Sequence, residues 1–166
     1  MADILSDGNT RVAFVASIAN QAAPTTTELN AGLLLQSIIT ADGFEGFEPS
    51  TSDVDNTALN SRFDTVTIGR TQFSGTMLRF KKQTGTDTTY NTLFYGVTGF
   101  IVARRYIAET TAWTSGQGGG GTNGIVNVYP VIFGDRRDLK PEGNTLARWE
   151  IDTKISNQPT LAAIIP

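Results

Sequence analysis

The chain has 166 residues, a formal charge of -3, and neither cysteine nor histidine. This length suits one domain that can bury a single core. The missing residue types exclude disulfides, thiolate and imidazole metal sites, and the Ser-His-Asp and Cys-His catalytic arrangements, leaving carboxylates, lysine and tyrosine for any chemistry. A pI near 4.9 opposes tight binding to phosphates. The amino terminus has no basic leader or apolar run, and the most apolar window, Leu33 to Ile39, is too short to span a bilayer. A soluble chain made in a cytoplasm, with no membrane insertion, is the expectation.

In chain order, Arg11 to Ile18 is β-branched and aromatic and reads as a first strand. Pro24 to Ala31 carries Thr-Thr-Thr-Glu-Leu-Asn, which caps one turn of helix that stops at Gly32. Leu33 to Thr40 reads as a second strand. Residues 41–60 lose all periodicity among Gly, Pro, Ser, Asp and Asn, a long inter-strand loop of the kind that is usually functional or disordered. Arg62 to Arg70 reads as a strand, and Thr71 to Lys82 as another. In the latter Phe73, Gly75 and Met77 share a side with Arg79 and Lys81, so the buried face is ambiguous.

After the turn at Gln83 to Thr86, Thr86 or Asp87 can cap a short helix whose apolar face is Tyr90, Leu93 and Phe94, spaced i, i+3, i+4. Gly96 suits a left-handed ending. So short a helix must dock those three side chains on a sheet. Gly99 to Tyr106 and Ile125 to Phe133 are two further strands, joined by the glycine-rich loop 113–124, and Leu146 to Ile155 closes the set. The expected fold is mainly β: an antiparallel β-sandwich or barrel with one or two short flanking helices.

No motif carries chemistry. The glycine tract lacks the lysine and following helix of a phosphate cradle. Asp53-Val54-Asp55-Asn56 resembles the start of a calcium loop but lacks its central glycine and closing glutamate, so no cofactor or metal is expected. Paired carboxylates, Glu45 with Glu48 or Glu150 with Asp152, are the nearest approach to a hydrolase. A monomeric β-sandwich module binding carbohydrate or another ligand through Trp113, Tyr129 or Trp149 is the competing class.

Charge is more suggestive. Residues 41–64 hold Asp42, Glu45, Glu48, Asp53, Asp55 and Asp64 against Arg62, whereas residues 70–105 hold Arg70, Arg79, Lys81, Lys82, Arg104 and Arg105 against Asp87. Two readings stand: ordinary solubilising charge, or a head-to-tail contact between the acidic segment of one copy and the basic strands of the next.

Five segments resemble the major tail tube proteins of long-tailed bacteriophages, most closely those of phages of actinobacteria: Leu5 to Val12, Pro24 to Gly32, Phe63 to Arg70, Phe80 to Leu93 and Val128 to Gly134. The tract Gly118 to Gly121 departs from that pattern. The resemblance covers most of the chain and implies a structural virion protein and no enzyme. It implies a β-sandwich in hexameric rings closed by sheet edges, stacked into a tail tube around a lumen that passes phage DNA, without specific binding, and the tape measure protein. Tail terminator and baseplate proteins are further expected partners, with assembly in the host cytoplasm. A long early loop and a terminal arm would reach the adjacent ring. Residues 41–60 fit that loop, through Asp42, Phe44, Glu45, Phe47, Glu48, Asp53 and Asp55. Residues 156–166 fit the arm, and Arg70, Arg79, Lys81 and Lys82 fit the receiving surface.

Overall fold

A computed structural model describes residues 3–4, 7–114 and 124–166. Its strands are β1 (Thr10–Val15), β2 (Leu33–Leu34), β3 (Ile39–Glu45), β4 (Ser50–Asp55), β5 (Val66–Gln72), β6 (Met77–Lys81), β7 (Thr98–Arg105), β8 (Ile125–Asp138), β9 (Arg148–Ile155) and β10 (Thr160–Ile164). The helices are α1 (Thr26–Asn30) and α2 (Thr88–Thr92). Among the described residues eight strands form one antiparallel sheet in the order β2-β1-β7-β8-β9-β6-β3, with β10 also on β8, while β4 and β5 pair only with each other. The mainly β, antiparallel fold with two short helices is the one expected.

Three strands at the centre are covered on both faces. One face of β1, β7 and β8 presents Val12, Phe14, Ile101, Ala103, Tyr129, Val131 and Phe133 to a core shared with Leu78 and Phe80 of β6 and Trp149 and Ile151 of β9. The alternate residues, Ala13, Val15, Val102, Val126 and Val128, face a second core closed by Ile18, Leu29 of α1, Trp113, Ala163 and Ile165. Double burial explains why these segments read as continuous apolar runs. Burying both faces also fixes register, because a one-residue slip would exchange the two cores.

Strand β8 changes partners along its length. Its first half pairs with β10 and its second with β9, both on the side away from β7. Pro130 falls at the junction. Its carbonyl accepts from Ser156 N at 2.9 Å on that side, so its missing N–H coincides with the gap between the two partners.

The helices follow their caps. Thr25 and Glu28 form a reciprocal capping box on α1, and Glu28 also accepts from Ala19 N at 2.8 Å. Asp87 caps α2 through Tyr90 N at 2.9 Å. The expected three-residue docking face is corrected. Because α2 ends at Thr92 and Leu93 is already extended (φ -96°, ψ 104°), Leu93 is buried and Tyr90 packs edge-on against Trp149, but Phe94 points to solvent.

Other boundaries move as well. The expected strand Leu33 to Thr40 divides into β2 and β3, because Leu35 N bonds to Val12 O and the chain then turns, with Ile38 N and Ile39 N both donating to Leu35 O. Residues 41–60, read as an irregular loop, are in large part strand: the end of β3 and all of β4. The strands expected at 62–70 and 71–82 are β5 and β6, separated by a turn at Gly75, and the face ambiguity resolves with Leu78 and Phe80 inward. Residues 156–166, expected as a terminal arm, pair within this chain with β8 through β10 and bury Ala163 and Ile165. Residues 115–123, most of the glycine-rich loop, lie outside the described residues.

Candidate assembly surface

Among the described residues the β4–β5 hairpin has no second layer. Every residue of β4 is exposed, as is all of β5 except the half-buried Gly69. Asp53 pairs with Ile68 and Asp55 with Val66, which places two carboxylates and two β-branched side chains on one face, while Val54 pairs with Thr67 on the other. Val66 and Ile68 are 62% and 83% exposed, and Leu59 and Phe63 near the tip are open to water. Isolated two-stranded hairpins are marginal in water. Local bonds hold this one. Ser52 Oγ accepts from Arg70 N at 3.1 Å, and Asp55 accepts from Thr57 N at 2.8 Å. Thr57 Oγ1 accepts from Thr65 N at 2.9 Å. The Thr57 hydroxyl and amide hold the Asp55 carboxyl below its ordinary range.

Aromatic residues pin both ends of the hairpin to the body. Phe44 stacks on Phe47 with centroids 4.3 Å apart, and Phe47, fully buried, meets Tyr129 edge-on at 5.2 Å. From the other end, Phe73 meets the same Tyr129 ring at 6.1 Å. Burial raises the Tyr129 hydroxyl above its ordinary pKa. Between these anchors Gly46, at φ +77°, lies so close to Gly75 that an added Cβ would stand 2.5 Å from the Gly75 carbonyl carbon. Phe44 and Phe47 were expected to reach outward with the acidic segment; they form its root, with Phe47 buried and Phe44 half-buried.

Several charges assigned to a contact between copies already have partners within the chain. Asp42 meets Arg79 at 2.6 Å, and Arg79 continues to Glu150 at 3.2 Å. Glu150 in turn meets Arg137 at 2.7 Å, so four strands carry an alternating ladder of charge. The Thr40 hydroxyl, more than Arg79, holds the Asp42 carboxyl down. Burial works against the Arg79 cation, but Glu150 and Asp42 outweigh it and its pKa rises. Glu48 meets Arg105 at 3.1 Å. Lys81 donates to Ser37 O at 2.9 Å, and Lys82 lies 3.2 Å from the Tyr90 ring centroid, with Arg136 over the same ring at 4.0 Å. Glu45, Asp53, Asp55 and Arg70 remain exposed. The basic strands are thus largely engaged by their own chain.

The competing sites fare differently. Trp113, Tyr129 and Trp149 are all buried, so none offers a ring for a sugar to stack on. Glu150 and Asp152 share Arg137, and this pair belongs to the charge ladder.

One feature had no sequence signal beyond a charge inside an apolar run. Arg104 is completely buried on β7, donating to the carbonyls of Ala108, Thr111 and Ala112. Arg11 donates to Thr111 O at 2.7 Å, and its guanidinium lies 4.4 Å from the Trp113 ring centroid. Burial lowers the pKa of both arginines. Together they tie the segment after β7 to the sheet.

A family model, described as phage tail tube protein, matches residues 1–166. The chain belongs to the phage tail tube protein family. No curated protein matches it. Membership makes it a structural protein of the virion tail, one that self-assembles and meets other tail components. The match is to the family at large and does not single out phages of actinobacteria. Among the described residues no helix is long and apolar enough to cross a membrane.

Proposed function

We propose that this tail tube protein, acting as one unit over residues 1–166, forms hexameric rings that stack into the tube through which phage DNA passes. The observation that carries this reading is the β4–β5 hairpin. A folded hairpin that exposes Val66 and Ile68 on one face, Val54 on the other and Leu59 and Phe63 near its tip leaves apolar side chains in water, as surfaces that meet a partner do. In a self-assembling family its natural cover is another copy. The acidic net charge suits a lumen past which DNA slides without adhering. A tape measure protein would occupy that lumen before DNA does. Terminator and baseplate proteins would close the two ends, with assembly in the host cytoplasm.

The test is electron microscopy with light scattering over a concentration series, on the whole chain and on a variant in which residues 51–71 are replaced by a short Gly-Ser turn. Rings or tubes are expected from the first and monomers from the second. Tubes from the shortened variant would remove the hairpin from the assembly, and a monomer from the whole chain at every concentration would overturn self-assembly.

A further inference from the structure

Resting on that assembly reading, the geometry points to a specific receptor: we infer that the tip of one hairpin, through Leu59, Arg62 and Phe63, docks into the cleft between β1 and β3 of a second copy. The eight-stranded sheet is open at this seam. β2 covers β1 only at Ala13 and Phe14, and β3 forms the opposite edge of the sheet. Between them lies a cleft of about 650 Å³, within the range that takes a drug-sized ligand and so has room for three side chains.

The cleft and the tip are opposite in character. Asp7, Glu48 and Glu109 line the cleft, and the guanidinium of Arg105 is the cation among its lining residues. Arg11 stands behind Glu109, but its NH1 is committed to Thr111 O. The lining thus carries three carboxylates against one guanidinium. Its floor is apolar, with Ile39 and Phe44 from β3 and Val12 from β1. Gln36 is in the same wall, and its Oε1 has no donor among the described residues.

The tip supplies what this cleft lacks. Arg62 is the one cationic residue between Pro49 and Gly69, and it is exposed. It is flanked by Leu59 and Phe63, which are 107% and 76% exposed. The Ala58–Phe63 turn is closed by Ser61 N to Ala58 O at 2.9 Å and Ser61 Oγ to Phe63 O at 2.7 Å, so the three side chains are presented by an ordered turn. Preformed presentation lowers the ordering cost of binding. Six or seven residues of strand at about 3.3 Å each carry this turn roughly 20 Å from the hairpin root. Joining two different patches of one molecule is a heterologous contact, which propagates from copy to copy.

The chain's lack of cysteine makes the contact directly readable. Leu59→Cys and Ser37→Cys are made as separate proteins, Ser37 being an exposed residue of the cleft wall. The two are mixed under assembly conditions, oxidised and run on a non-reducing gel, with light scattering and microscopy alongside. The expected result is a mixed disulfide dimer that forms faster than either protein alone dimerises, and a ladder from the double variant. Arg62→Glu should weaken assembly by about tenfold or more, and Glu109→Lys in the same chain should restore part of it, as exchanged charges do across a complementary interface. Rings without the mixed dimer, or self-dimers of Leu59→Cys forming equally fast, would overturn this contact while leaving assembly standing. Monomers by scattering would instead overturn the assembly reading beneath it.

Discussion

The three strands β1, β7 and β8 and the hairpin β4–β5 are built from the same antiparallel pairing, yet they differ in everything that surrounds it. Around Ile101, Val102 and Val128 both faces of the sheet are sealed. Around Val54, Val66 and Ile68 neither is. In the first region burial supplies stability and fixes the register. In the second, hydrogen bonds and short polar side chains suffice to hold the shape, and the apolar area is left for another molecule. The folded monomer therefore separates the residues that keep it folded from those it offers outward.

Matched truncations test that separation most severely. Ile101→Ala in the sealed centre should destabilise by about 2–5 kcal/mol, the range for removing buried aliphatic atoms and leaving a cavity. Ile68→Ala on the hairpin should move folding stability by no more than about 0.5 kcal/mol. Urea denaturation of the monomer measures both. Equal losses would mean that the hairpin is part of the cooperative core and would end the distinction.

The junction between the two regions is the next place to press. Gly46→Ala places a side chain at φ +77° and directly against the Gly75 backbone, at the root that Phe47 and Phe73 anchor on Tyr129. Such strain costs on the order of 1–3 kcal/mol. The urea midpoint should fall accordingly, with faster amide exchange through residues 50–72 than in the wild-type chain. An unchanged midpoint would show that the root relaxes without consequence.

The same contrast explains what the sequence disclosed. β1, β7 and β9 were legible because burial writes itself into the residues: continuous apolar runs where two faces are covered, alternation where one is. The α1 helix was legible through its capping box. β4 was not, since Ser50 to Asp55 is exposed on both faces and no burial pattern marks it as a strand. β10 depended on a distant partner, β8, that local sequence does not specify. The charge asymmetry was visible, but not its closure within one chain through Asp42 with Arg79 and Glu48 with Arg105. Phe44 and Phe47 looked like part of a loop because they sit among Gly, Glu and Pro, although their stacked rings form its root, Phe47 buried and Phe44 half-buried.

Acid titration offers the finest comparison, because each region has a carboxyl held below its ordinary pKa. Glu28 accepts first from Ala19 N and then from Thr25, in the cap of the helix that closes the second core. Asp55 accepts from Thr57 inside the hairpin. In both, the folded state binds its proton less readily than the unfolded chain does, so the stabilisation is complete above the unfolded pKa, near pH 4, and is lost as pH falls through the lower folded value. Glu28→Gln should therefore lower the thermal midpoint at pH 7 and leave it nearly unchanged at pH 2.5. Asp55→Asn should leave the global midpoint alone at both pH values and show itself only as faster amide exchange at Thr57, because the hairpin opens without unfolding the body. A global shift from Asp55→Asn comparable to that from Glu28→Gln would mean that the two regions melt as one, and that the hairpin's exposed faces conceal a stabilising role in the monomer.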